Sequence, residues 1–329
     1  VRGDPRGRGS AAKWIGGEHV PGLAILFPGQ GAQYIGMGRD LARDFQAARE
    51  VFRRADDALG VKLSSICFAG EQADLDITEI TQPAVLTVSI AVWEVLKEEG
   101  IRAEMAAGLS LGEYSALVAA GALDLETAVR LVAARAKIMQ KAVPEGRGLM
   151  AAVLGLAEEV VEEACKKAGT VGAVGIANYN CSGQMVISGE KVAVLEAGRL
   201  VQAAGGRFMP LKVSVPSHSR LMVEAAEELR SELRKVEWGE MSFPVVSNVT
   251  AGELDPGELE QRLVEQLYCP VRWQQSIEYM SPQVDYFIEV GPGKTLSGLV
   301  KKISRQQLIG NVEDPVTLTE VLKKLRGAE

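Results

Sequence analysis

Short apolar runs alternate with helical stretches along this chain, and that alternation is what a parallel α/β sheet requires. The run "LAILF", Leu23–Phe27, ends at Pro28-Gly29. It reads as a buried strand feeding a loop. The loop "PGQGAQYIGMG" follows, then helical sequence, "RDLARDFQAAREVFRRADDAL". The stretch "TQPAVLTVSIAVWEVLKEEG" predicts another helix, with Thr81 as N-cap, Pro83 in the first turn and Gly100 at the end. It is apolar nearly all round, so deep burial is expected. Helical sequence runs on from about residue 113 to residue 142, with a break near Gly121-Ala122.

A second pattern occupies residues 147–214. Strand-like "GLMAAVLGL" precedes helix "AEEVVEEACKKAG", strands "VGIANYN" and "QMVISGE", helix "KVAVLEAGRLVQAAG" and strand "RFMPLKVS". That β-α-β-β-α-β order is ferredoxin-like and predicts a small inserted unit. The first 22 residues are rich in Arg and Gly, lack periodicity and start without Met. They read as a disordered extension, a cloning remnant or a processed leader, an organellar transit peptide included.

Composition narrows the function. Acidic residues outnumber basic ones, 43 to 36, for a net charge of −7. With aromatics at only 5%, neither charge nor stacking surface suits nucleic acid. Cys67, Cys165, Cys181 and Cys269 are scattered, without a C-x-x-C pair. They suggest neither a zinc set nor a disulfide framework, and fit a reducing, cytoplasmic setting. No apolar run approaches the ~20 residues of a membrane span. No membrane, metal or cofactor is expected.

Gly108-Leu109-Ser110-Leu111-Gly112 sets a serine between two glycines. G-x-S-x-G can make a strained strand-to-helix turn that lifts a nucleophilic hydroxyl clear at a helix N-terminus. The N–H of the following Leu111 then points toward the reacting carbonyl. The weak strand "AEMAA" precedes the motif and good helix sequence follows it. The ordinary alternative is a glycine-rich helix start capped by Ser110. A serine nucleophile needs a base, and the only histidines are His19 and His218. His19 lies in the leader. His218, in "VSVPSHSRLM", follows a strand and opens a helix, where α/β folds place catalytic groups. No acid stands out as third member; a backbone carbonyl would orient the imidazole equally well.

Several segments then occur in a telling order: "FPGQGAQ", "TQPAVL", "SLGEYSALVAAGAL", "RAKIMQKAVPEG", "IANYNCSGQMVISG", "VPSHSRLM", "CPVRW" and "EVGPGKTLSGLVKK". Together, from about residue 23 to residue 312, they resemble the malonyl-CoA:acyl carrier protein transacylases. The resemblance implies an α/β fold. A hydrolase-like large subdomain with a parallel sheet would span 23–146 and 215–312, with the ferredoxin-like insert at 147–214 and a C-terminal helix or tail at 313–329. It implies ping-pong transfer of malonyl from malonyl-CoA to the phosphopantetheine thiol of acyl carrier protein, by Ser110 with His218 as base. Gln30 and Leu111 match the backbone donors of the oxyanion hole, and Gln266 the carbonyl that holds the histidine. Arg135 matches the arginine that clamps the free malonyl carboxylate, although a helix arginine more often lies on a solvated face. Lys301 and Lys302 match basic residues that dock the acidic carrier. Many relatives carry His where Leu109 stands, which reads as tolerated packing variation. A monomer is expected.

The glycine loop carries neither phosphate-binding pattern. "PGQGAQYIGMG" lacks the Gly-Lys-Ser/Thr ending, and Gly29-x-Gly31 is followed by Tyr34 where the dinucleotide fingerprint needs Gly. Two other readings of the same chain stand: an acyl hydrolase, and a non-catalytic module that binds carrier protein. A polyketide-type acyltransferase acting in trans is a variant of the first reading.

Overall fold

The computed structural model describes residues 13–15, 18–20, 22–144, 146–211, 213 and 215–327. In the expected leader, β1 (Lys13–Ile15) and β2 (Glu18–Val20) pair antiparallel, which an extension without structure would not do. The rest of that leader, Gly22 apart, lies outside the described residues. The later strands are β3 (Leu23–Phe27), β4 (Met105–Gly108), β5 (Gly148–Leu154), β6 (Val174–Cys181), β7 (Gln184–Glu190), β8 (Arg207–Pro210), β9 (Val245–Val246), β10 (Tyr286–Val290) and β11 (Leu308–Val312).

Five of them form one parallel sheet in the order β11-β10-β3-β4-β9. β3 is buried along its whole length. Leu23, Ile25 and Phe27 face one core, while Ala24 and Leu26 face the other. A strand buried on both faces reads as a continuous apolar run, which is why "LAILF" stands out. The C-terminal helix Pro315–Gly327 joins the first core through Leu318, Val321, Leu322 and Leu325, so it is no loose tail.

The helix expected from Thr81 begins at Thr78 and runs to Glu98. Thr81 is not its cap. Its hydroxyl donates to the Leu75 and Ile77 carbonyls from inside the first turn, at 2.6 and 3.1 Å. At 21 residues it matches a membrane span in length and composition, contrary to the expectation that nothing here would. It is buried along most of its length in the first core, as a core helix is.

The remaining large strands form a four-stranded antiparallel sheet, β6-β7-β5-β8, with the helices Glu158–Ala168 and Lys191–Ala203 packed on it. β8 stops at Pro210, short of the stretch expected to 214. Proline has no N–H for the ladder and sits on an edge strand, where that loss is tolerated.

The sheet's carboxyl edge makes the site. β3 and β4 are neighbours with Phe27 beside Gly108, and Leu109 N–H donates to Phe27 O at 3.0 Å. The Gly29–Gln30 loop and Ser110 therefore leave adjacent strand ends on the same side. The turn into helix Gly112–Ala120 is so tight that a Cβ on Gly112 would fall onto the Phe27 carbonyl, and one on Gly108 onto the Gly112 carbonyl. Both clashes are with backbone, which cannot swing away. Gly112→Ala should therefore lower Tm by at least ~5 °C, through forced backbone shifts. Gly298→Ala, at an exposed and uncrowded helix position, should instead stabilise by ~0.5–1 kcal/mol. Thermal melts of the two variants check the contrast; equal effects would refute it.

Candidate active site

Ser110 and His218 carry the least comfortable backbones in the cleft. Both are non-glycine residues with positive φ, 53° and 57°, a conformation that costs roughly 1–3 kcal/mol and gathers at functional sites. Asn248, just past β9, braces the serine turn: its Oδ1 accepts from Ser110 N at 2.7 Å, and its Nδ2 donates to Gly108 O at 2.6 Å. His218 is held by its main chain, whose N–H donates to Leu267 O at 2.8 Å.

The two side chains meet. His218 Nε2 lies 2.8 Å from Ser110 Oγ, and Nδ1 lies 2.7 Å from the Gln266 carbonyl. A carbonyl only accepts, so Nδ1 carries the hydrogen and Nε2 keeps its lone pair for the serine proton. Burial, and then the nearby Arg135 charge, push the imidazole pKa from 6.5 down to about 4. The ring is therefore a neutral base at pH 7.

Arg135, on helix Leu125–Ala142, is only 1% exposed. This overturns the solvated-face alternative. Its Nη1 donates to Gln82 Oε1 at 2.9 Å and its Nη2 to Gln266 Oε1 at 3.1 Å; Ser110 Oγ is 3.4 Å away. The guanidinium also lies over the Tyr114 ring, 5.4 Å from its centroid. Among the described residues no carboxylate reaches salt-bridge distance. Neutral amides orient this buried cation and leave it without a counter-ion, and burial lowers its pKa. Such an arrangement is costly unless a ligand brings the missing charge.

One cavity gathers these groups, with Gln30, Ser110, Leu111, Arg135, Met139 and His218 in its wall. Among the described residues, the Gln30 and Leu111 N–H groups donate to no backbone carbonyl of the loop, where the donors are Leu109, Gly112 and Glu113. Lys301 and Lys302 lie elsewhere, exposed in the last turn of helix Thr295–Ile303, with Lys302 Nζ donating to Gln184 Oε1 at 2.9 Å.

Known proteins resemble this chain over most of its length. Residues 25–325 match the family model described as acyl transferase domain. The malonyl CoA-acyl carrier protein transacylase of Bacillus subtilis is 46% identical over 308 residues, covering 92% of this chain and 97% of that protein. The chain belongs to the acyl transferase family, with the malonyl CoA-acyl carrier protein transacylases. The crystal structure of the Clostridium perfringens malonyl CoA-acyl carrier protein transacylase superposes with a TM-score of 0.91 at 43% identity, over 93% of this chain and 98% of that one. A malonyl-transacylase solved in complex with a type II PKS acyl-carrier protein gives 0.89 at 43% identity, over 92% and 99%.

Four residues of this acyl transferase's site were not singled out from sequence: Gln82, Glu113, Tyr114 and Asn248. Gln82 sits in "TQPAVL", and Glu113 and Tyr114 in "GEYSAL", as ordinary helix residues. Asn248, in "SNVT", looks like a turn residue. Only contacts with distant residues mark them: Gln82 across 53 positions, Glu113 across 153 and Asn248 across 138, and Tyr114 through the Arg135 guanidinium over its ring.

The burial of His218 has a measurable consequence. Between pH 6.5 and about 4 the unfolded chain binds a proton at this ring that the folded protein does not. The contribution to stability is therefore complete above 6.5 and is lost as pH falls toward 4. Imidazole NMR should place the folded midpoint near 4; a midpoint at 6.5 or above would contradict the buried neutral ring.

Proposed function

We infer that this acyl transferase moves a malonyl group from malonyl-CoA to the phosphopantetheine thiol of acyl carrier protein through a malonyl ester of Ser110. The observation that carries this reading is the buried, uncompensated Arg135 within reach of the Ser110 hydroxyl. A plain acyl chain gives such a cation nothing, whereas a free carboxylate supplies the counter-charge through two parallel hydrogen bonds.

Each half-reaction uses one proton shuttle. His218 Nε2 takes the Ser110 proton as Oγ attacks the thioester carbonyl. The developing oxyanion turns to the N–H groups of Gln30 and Leu111, donors of a kind whose removal costs roughly 10²–10³ in rate. As the C–S bond breaks, the imidazolium returns the proton to the CoA sulfur. His218 then deprotonates the carrier thiol, the thiolate attacks the ester, and Ser110 leaves with that proton. The Gln266 carbonyl holds the imidazole in the required tautomer throughout and steadies its positive form.

Lys301 and Lys302 complete the proposal as the docking patch for an acidic carrier. Their exposure beside the β6–β7 turn supports this. The order β6-β7-β5-β8 supports the ferredoxin-like reading of the insert and the division at 23–146, 147–214 and 215–312. Free Cys67, Cys165, Cys181 and Cys269 support a cytoplasmic setting; a monomer belongs to the same proposal. Fatty acid synthesis is the process favoured. The relative solved with a type II PKS acyl-carrier protein keeps a polyketide carrier as the second reading.

Incubation with malonyl-CoA followed by intact mass should show a stable malonyl adduct that Ser110→Ala abolishes. Rapid release of free malonate would indicate a hydrolase, and no adduct a binding module. Arg135→Ala should reduce kcat/KM for malonyl-CoA by ~10²–10³-fold, the cost of breaking a buried charge pair, and for acetyl-CoA by less than ~10-fold. Equal losses would remove the carboxylate clamp. Charge reversal at Lys301 and Lys302 should slow transfer to the carrier ~10-fold more than acylation by malonyl-CoA, and parallel assays with fatty acid and polyketide carriers decide between the two processes.

A further inference from the structure

Glu113 is an acid near enough for its charge to act on Arg135, and no step of the transfer uses it. It is fully buried in the first turn of helix Gly112–Ala120, directly after the serine turn. Burial raises its carboxyl pKa to about 7. Only one of its oxygens is used: Oε2 accepts from Gln266 Nε2 at 2.5 Å and, more distantly, from Asn248 N at 3.4 Å. Oε1 has no partner. A buried carboxyl kept at that cost, one residue beyond the serine turn, calls for a role.

The role lies in the amide it touches. A glutamine side chain is nearly symmetric in shape but opposite in chemistry at its two ends, and only its neighbours decide which end points where. Gln266 Nε2 donates both to Glu113 Oε2 and to Ser110 O, the latter at 3.0 Å. That leaves Oε1 facing Arg135 Nη2 at 3.1 Å. The reversed amide would press an NH2 group against the guanidinium and an oxygen against the carboxyl. Ser110 O already accepts from Glu113 N at 3.1 Å. The carboxyl is thus the strong acceptor that selects the orientation.

We propose that Glu113 is a positioning residue for acyl-group selection, fixing the one orientation of the Gln266 amide that aims Arg135 at a substrate carboxylate. It acts through Gln266 and touches no substrate. Because Gln266 separates the two, Glu113 steers the guanidinium without neutralising it, and the clamp stays open for malonyl. A direct Glu113–Arg135 ion pair would have closed it.

This inference rests on the malonyl-transfer reading, and the test separates the two. The quantity read is the ratio of malonyl-CoA to acetyl-CoA acylation rates, by rapid quench and intact mass. No malonyl adduct on the unsubstituted protein would defeat the transfer reading itself. Given that adduct, Glu113→Leu, which removes the acceptor, should lower the ratio about tenfold, the worth of one hydrogen bond to a charged group. Glu113→Asp, one methylene short of Gln266, should lower it too and covers the case in which the leucine variant does not fold. Glu113→Gln keeps the shape and one acceptor oxygen but no longer excludes the reversed amide, so its ratio should fall between those of the unsubstituted protein and Glu113→Leu. The double variant with Gln266→Leu should lose no more than Gln266→Leu alone, since both remove the same orientation. A ratio unchanged in Glu113→Asp and Glu113→Leu while both rates fall together would reduce Glu113 to a structural residue. Additive losses in the double variant would equally overturn the proposal.

Discussion

Gln266 joins everything that matters in this cleft. Its main-chain oxygen holds His218 Nδ1, its amide nitrogen holds the Ser110 carbonyl and Glu113, and its amide oxygen holds Arg135. The serine turn, the imidazole and the cation come from distant parts of the chain, and one fully buried residue ties them together. In an interior of low dielectric, each of these bonds is strong when made and expensive when left unmade. The network therefore behaves as a unit with little slack.

Below it lies a steric constraint of similar weight. The neighbouring ends of β3 and β4, and the close approach of Gly112 to Phe27 O, leave no room for side chains where the serine turn crosses the sheet edge. The strain of a positive φ at Ser110 is borne there, stapled by Asn248. In the proposed mechanism, a hydroxyl presented this way needs no rearrangement before attack, which is how preorganised sites save barrier energy.

In the proposed mechanism, chemical selectivity comes from a withheld partner. Most buried arginines meet a carboxylate; Arg135 meets two amide oxygens and an aromatic face. In the proposed mechanism, the acyl group's own carboxylate supplies the charge that this isolated cation lacks. After burial, the Arg135 charge helps to push His218 below the ordinary imidazole range.

Much of this was legible in the residues. Strand-like "LAILF", the β-α-β-β-α-β order of residues 147–214 and the G-x-S-x-G turn are local signals, because period, turn chemistry and glycine placement act over a few residues. Ser110 and His218 followed from the motif and from the scarcity of histidine, while Arg135 and the Gln266 carbonyl came only through family resemblance. The sequence could not mark Thr78 as the helix start, since Thr81 has the look of a cap until its hydroxyl is seen bonding backwards. Nor could it mark Gln82, Glu113 or Asn248, whose roles arise from contacts across more than fifty positions. The chain by itself determined which segments become strands, helices and tight turns, because those choices are made by near neighbours. Only the tertiary structure decided which amide faces Arg135 and which carboxyl stays away from it, because hydrogen-bond direction in a buried network depends on groups the chain brings together last.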